Sequence, residues 1–401
     1  MPVAEFSKMT ESYKPKILIL CDFYLPGYKS GGGLRTLVNT VERLGDDFDF
    51  HVICRDHDGW ADRTPYKNVK INDWNRVGKA SVFYLSKEKV GISEIKRLLR
   101  DLEPEAVYMN SFFSTLTIYA LTLRKIGSVG RIPMIVAPEG ELAEGALKLK
   151  SAKKKAFLMF AKASGLYENL LWKASSESEV SEVKKHMGKG GEVFYAPNLP
   201  PKRILPDYSQ QDKPSKRKGE LQMVFLSRIH PTKNLKYLLN LLHQVQGEVL
   251  LDVYGPFERA GYVEECKEVI KTLPHNVKVT LKGEVDHAEV AETLFGYHLF
   301  CLPTLGESLG HVIVEALSAG CPVLISDRTP WRELEKKRVG WDLPLESPEK
   351  WVEVVNYCLK MDETEYSEYS RNARKFAVEW LSDEGLENAT RKVFERSLSK
   401  S

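Results

Sequence analysis

Leu299-Phe-Cys-Leu-Pro303 leads to Glu307-Ser-Leu-Gly-His-Val-Ile-Val-Glu315, then to Ala316-Leu-Ser-Ala-Gly320 and Cys321-Pro-Val-Leu-Ile325. The succession reads as strand, turn, short helix, glycine stop and strand, which sets a helix N-terminus at the carboxyl edge of a parallel sheet. Unpaired backbone N–H groups and the helix dipole make such an edge an anion site. With Glu307 in the turn and Glu315 about two turns into the helix, the two acids stand roughly 10 Å apart at ~1.5 Å per residue. That is too far to hold one metal ion or share one proton. It suits two hydroxyl-bearing ends of a long ligand with an anionic middle, such as a nucleotide sugar. Solvation at a helix edge is the ordinary alternative for such a pair.

The same rhythm extends in both directions. Upstream, Ile17–Cys21, Phe50–Cys54, Ser81–Leu85, Ala106–Met109 and Met134–Ala137 read as buried strands, with helical patterns near 34–45, 92–101, 114–126 and 152–164 between them. Pro197-Asn-Leu-Pro-Pro-Lys202 and Gln210–Gly219 are polar and rich in proline, a linker composition. The alternation restarts at Leu221–Leu226 and runs through Val249–Val253 and Val277–Leu281. An α/β chain of two Rossmann-like, doubly wound parallel-sheet domains follows, facing a central cleft. The boundaries read as 1–200, 201–380 and a terminal helix over 381–401.

The 401 residues suffice for two domains with separate cores, and 43% apolar with 28% charged residues describes a globular chain. A net charge of +3 gives no overall field for nucleic acid. Six scattered cysteines without a Cys-x-x-Cys pair read as reduced core residues of a cytosolic protein, and no zinc pattern is present. Met1–Lys16 lacks the apolar stretch of a signal peptide, and no run approaches the ~18 apolar residues of a membrane span. Membrane contact would then be peripheral.

Several loops carry candidate chemistry. Arg228 and Lys233, in Ser227-Arg-Ile-His-Pro-Thr-Lys-Asn234, follow a strand and so open onto the cleft. Fixed cations there stabilise the charge that develops on a departing diphosphate. Gly31-Gly-Gly33 between strand and helix lets backbone approach a ligand, though no full Gly-x-Gly-x-x-Gly of a nicotinamide site is present. Glu139, in Ala137-Pro-Glu-Gly-Glu141, touches an acceptor or sugar hydroxyl or is an ordinary turn residue. Arg55-Asp-His-Asp58 is a polar loop in preference to a metal motif. His311 is a ligand contact or a neighbour of the helix cap. The basic run Lys148, Lys150, Lys153, Lys154 and Lys155 enters apolar Phe157, Leu158 and Met159, a pattern of core-facing helices and also of helices lying on anionic membranes.

Glu307 to Glu315 resembles the E-x7-E motif of the retaining GT-B glycosyltransferases of family 4, and Arg228 with Lys233 resembles that family's diphosphate clamp. Gly31–Gly33 is similar to its N-terminal glycine loop, in matching order and spacing along nearly the whole chain. The resemblance implies that Glu315 binds the ribose, that Glu307 meets the donor sugar, and that N–H groups of Leu309, Gly310 and His311 cap diphosphate or sugar. Gly32 and Gly33 would touch the donor, and Glu307 as a covalent nucleophile is the lesser alternative. Relatives commonly carry His or Arg near Glu139, so a cationic role there is in doubt. The implied activity is transfer of a hexose from a nucleotide diphosphate sugar to a glycan or lipid-linked glycan of surface polysaccharide, with no cofactor or metal. The expected place is the cytoplasm, with peripheral contact on the inner membrane face. The rival readings are a GT-B isomerase or phosphorylase and a catalytically silent membrane-surface module.

Overall fold

The computed structural model describes residues 13–28, 31–60, 62–148, 151–188, 191–201, 213–286 and 289–400. Eight strands form the first sheet: β1 (Lys16–Leu20), β2 (Asp49–Arg55), β3 (Trp74–Val77), β4 (Ala80–Leu85), β5 (Ala106–Asn110), β6 (Met134–Ala137), β7 (Leu170–Ala174) and β8 (Gly191–Tyr195). Their order is β3-β4-β2-β1-β5-β6-β7-β8, parallel except for β3 against β4. The second sheet has six parallel strands, β9 (Glu220–Leu226), β10 (Glu248–Tyr254), β11 (Val277–Gly283), β12 (Leu299–Leu302), β13 (Val323–Ser326) and β14 (Gly340–Leu343). Its order is β11-β10-β9-β12-β13-β14. Both sheets are covered on two faces, which explains why their central strands read as continuous apolar runs.

The helices of the first half are α1 (Gly32–Leu44), α2 (Ile92–Leu102), α3 (Thr115–Lys125), α4 (Glu144–Lys148), α5 (Ser151–Ala163) and α6 (Glu177–Met187). Those of the second are α7 (Leu235–Leu241), α8 (Ala260–Lys271), α9 (Val290–Phe295), α10 (His311–Ser318), α11 (Pro348–Lys360), α12 (Glu363–Leu381) and α13 (Glu384–Leu398). Helix α13 returns to the first sheet. Its Phe394 is fully buried among Phe48, Phe50 and Tyr108, with ring centroids 5.3, 5.6 and 5.7 Å away. Arg391 pairs with Asp47 at 2.8 Å and Arg396 with Glu192 at 2.7 Å.

Three sequence readings gain detail in the structure. Within the linker, residues 202–212 lie outside the described residues, but Lys216 is buried; its N–H donates to the Glu363 carboxylate and its Nζ to the Met361 carbonyl. The polar loop after β2 is packed inward. Asp56, His57 and Asp58 are buried, His57 Nδ1 meets Asp56 at 3.0 Å, and Asp58 accepts the Tyr28 N–H at 2.9 Å. On α5, Leu158 is buried and Phe157 packs on Phe112 and Phe113, while Met159 faces outward. Lys150 and the side chain of Lys148 lie outside the described residues.

All six cysteines are free and buried. Among the described residues no helix is long and apolar enough to cross a membrane.

Candidate active site

In each sheet the strand order reverses direction at one point, between β1 and β5 in the first and between β9 and β12 in the second. Loops leaving the carboxyl ends of strands at such a point splay apart and leave a crevice. The loop after β9 carries Arg228 and Lys233; the loop after β12 carries Glu307 to Gly310. The two are tied together, since the Leu305 N–H and the Thr304 hydroxyl both donate to the Thr232 carbonyl, at 2.8 and 3.1 Å. That tie sets Lys233 beside Glu307, and the two form an ion pair with each side chain 13% exposed. Arg228 is more open and is gripped by both oxygens of Glu258, at 2.8 and 3.0 Å.

Gly310 begins α10 in the left-handed region, φ 73°, where glycine avoids the steric penalty of a β-carbon. From behind, Trp331 Nε1 donates to the Leu309 carbonyl at 2.7 Å and fixes the turn. Glu315, one face along α10, is half-buried. Loss of water pushes its carboxyl up to about 7, and Arg35 of α1 opposes that rise. Burial lowers the Arg35 guanidinium from its usual value, with Glu315 and then Asp286 acting against it.

The glycine loop of the first domain closes over this edge. A β-carbon at Gly31 would lie 3.7 Å from Arg228 Nε, and one at Gly32 would lie 3.7 Å from His311. The same atom at Gly33 would lie 3.7 Å from Asn110, at the end of β5. Thr36 Oγ1 hydrogen-bonds His311 Nε2 at 3.2 Å, so His311 spans the cleft as a neighbour of the helix start. Gly31, with φ 71°, turns the chain where any other side chain would strain the backbone.

The turn that carries Glu139 borders the cleft, since a β-carbon on Gly140 would stand 3.2 Å from Ser308 Oγ. The Glu139 carboxylate turns inward. It accepts from Asn198 at 2.7 Å and lies 3.6 Å from the buried Lys173 ammonium. Glu179 accepts the Gly140 N–H at 2.6 Å; burial, then Glu139, raises its carboxyl above the ordinary range. Glu141 caps the next loop by accepting N–H groups of Phe112 and Phe113 at 2.6 and 3.1 Å.

The structure thus brings together Gly32, Gly33, Arg228, Lys233, Glu307, Leu309, Gly310, His311 and Glu315, with Glu139 behind them. Sequence reasoning missed Arg35, Glu258, Glu179 and Trp331. Glu258 had a signal, because it follows β10 at the same sheet edge as Arg228; Arg35 had one too, two residues past the glycine loop.

Comparison with known proteins shows what this fold resembles. Residues 208–376 match the family model described as glycosyl transferases group 1. That match takes in the second sheet and its helices through most of α12. A phosphatidyl-myo-inositol mannosyltransferase of Mycobacterium leprae is 33% identical over 125 residues, 30% of this chain and 33% of that protein. The chain therefore spans a third of the length of that relative. Sucrose-phosphate synthase from Thermosynechococcus elongatus superposes with a TM-score of 0.72 at 15% identity, covering 97% of this chain and 100% of that one. Anabaena HepE in complex with UDP-glucose superposes with a TM-score of 0.67 at 20% identity, covering 96% and 100%. The two-domain fold is GT-B.

Proposed function

We propose that this glycosyltransferase moves a hexose, with retention at the anomeric carbon, from a nucleotide diphosphate sugar to a hydroxyl of a glycan or lipid-linked glycan. The setting proposed is assembly of surface polysaccharide. One observation carries the reading: Arg228, Lys233, Glu307 and Glu315 converge at the switch point of the second sheet, under the glycine loop of the first domain. The HepE complex with UDP-glucose and the mannosyltransferase supply like chemistry in proteins that this chain resembles.

In this reading Glu315 accepts the ribose hydroxyls, Arg228 and Lys233 take the diphosphate, and Glu307 orients the hexose. N–H groups of Leu309, Gly310 and His311 complete the anion cradle, and Gly32 and Gly33 cover it. Donor binding exchanges carboxylate partners for phosphate, since Lys233 now holds Glu307 and Arg228 holds Glu258. The bond from the anomeric carbon to the phosphate oxygen breaks as the acceptor oxygen bonds to the same face. The acceptor proton passes to the departing phosphate oxygen, and the two cations, in place of a metal ion, stabilise its charge.

A panel of UDP-, GDP- and ADP-hexoses in a thermal-shift assay tests the donor class. A donor at 100 times its dissociation constant adds about 2.7 kcal/mol of stability. With the donor found, NMR of the product is expected to show an anomeric configuration unchanged from the donor, and chelator is expected to leave turnover intact. An inverted product, or rearrangement of the donor without any acceptor, contradicts the proposal.

A further inference from the structure

Helix α5 has two apolar faces where a surface helix needs one. Leu158 and Ala161 enter the core, and Phe157 follows them against Phe112 and Phe113. On the opposite side Met159 and Phe160 are 67% and 60% exposed, among the largest apolar side chains that the fold leaves in water. Helical spacing puts Ala152, Ala156, Met159 and Ala163 on one stripe with Phe160 beside it, and all five are exposed. The stripe is flanked by exposed Lys153, Lys155 and Lys162, and α5 contains no acidic residue. Lys154 does not share this surface. Its ammonium donates to the Ala146 carbonyl at 2.8 Å and lies 5.0 Å above the Phe113 ring.

We propose that this outer face of α5 docks on an anionic lipid bilayer, with Met159 and Phe160 entering the headgroup boundary and Lys153, Lys155 and Lys162 meeting lipid phosphates. An apolar stripe bordered by lysines is what such an interface requires, because the lysine stems lie along the apolar surface while the ammonium groups stay in the headgroup layer. Charge selects the occupant. Interfaces between proteins are depleted in lysine at their centres, and an all-cationic border with no acid on its helix matches a uniformly negative surface. The inference goes beyond the transfer reaction and does not depend on it, since every residue used lies outside the cleft.

The test is sedimentation of the full chain with vesicles of phosphatidylglycerol and phosphatidylcholine, against vesicles of phosphatidylcholine alone, as salt rises. The wild type is expected to pellet with the anionic vesicles only and to be released by about 0.5 M salt, where screening is strong. M159S/F160S should weaken partition at least about ten-fold, as should K153Q/K155Q/K162Q, with no loss of thermal stability or of nucleoside diphosphate binding. K154Q should partition as the wild type does. Failure of the wild type to pellet with anionic vesicles at low salt overturns the proposal, as does wild-type partition by M159S/F160S. A wild-type dimer in sedimentation velocity that M159S/F160S converts to monomer also overturns it, because a second copy would then own this face.

Discussion

At the scale of single residues, charge placement decides the chemistry. In the proposed reaction, loss of either cation leaves the departing diphosphate undercompensated, so Arg228→Ala or Lys233→Ala should each lower kcat by about 10²-fold, read by steady-state kinetics. Near-normal kcat in both variants would remove them from the reaction. Glu315 makes a pH prediction. Its carboxyl is pushed up to about 7, far above that of an exposed glutamate, so the native state holds the proton where the unfolded chain has released it. The stability tied to that proton is fully present below about pH 4.5 and fades as pH rises through 7. Nucleotide binding runs the opposite way, because ribose hydroxyls donate best to the ionised form. Affinity for the nucleoside diphosphate should fall as pH drops below 7, more steeply in the wild type than in Glu315→Gln, where the terminal phosphate of the ligand still titrates.

Element by element, the strand, turn and helix around Glu307 to Glu315 were legible in the sequence because their signals are local: an apolar run, a glycine at the turn and another at the stop. The glycine has a measurable cost. Gly310 holds φ 73°, and an added β-carbon would come 2.7 Å from Ile313 Cδ1. Gly310→Ala should destabilise by about 1–2 kcal/mol, read by chemical denaturation, and lower turnover through the displaced loop. Other elements gave no such signal. Strand β7 carries Lys173 inside a sheet, and a lysine in a five-residue run reads as exposed until Glu139 and Asn198 are seen to receive it. Lys216 reads as linker for the same reason, its partners lying on α12 and just before it. Arg228 meets Glu258 only because β9 and β10 are neighbours in the sheet, so their pairing is a property of topology and not of spacing. The acids and cations proposed to face a donor were therefore read from the sequence, while Glu258, which holds Arg228, was not.

For the whole molecule, helix α13 ties the end of the chain to the domain where it began. Phe394→Ala removes a fully buried ring from the cluster of Phe48, Phe50 and Tyr108 and should cost about 3–5 kcal/mol of stability in denaturant unfolding. A cost below about 1 kcal/mol would mean that α13 does not hold the first domain. The same two-domain arrangement brings Thr36 to His311 and the glycine loop to Arg228, so that α1 lies against the start of α10. The central claim is that this cleft binds a nucleotide diphosphate sugar with ribose at Glu315 and hexose at Glu307. The most direct measurement is calorimetric titration of UDP, GDP and ADP into the wild type, Glu315→Ala and Glu307→Ala. One diphosphate should bind the wild type, lose about ten-fold or more in affinity with Glu315→Ala, and bind Glu307→Ala nearly as well while sugar transfer by that variant collapses. Absence of binding by all three diphosphates, or equal losses in the two variants, would contradict the account.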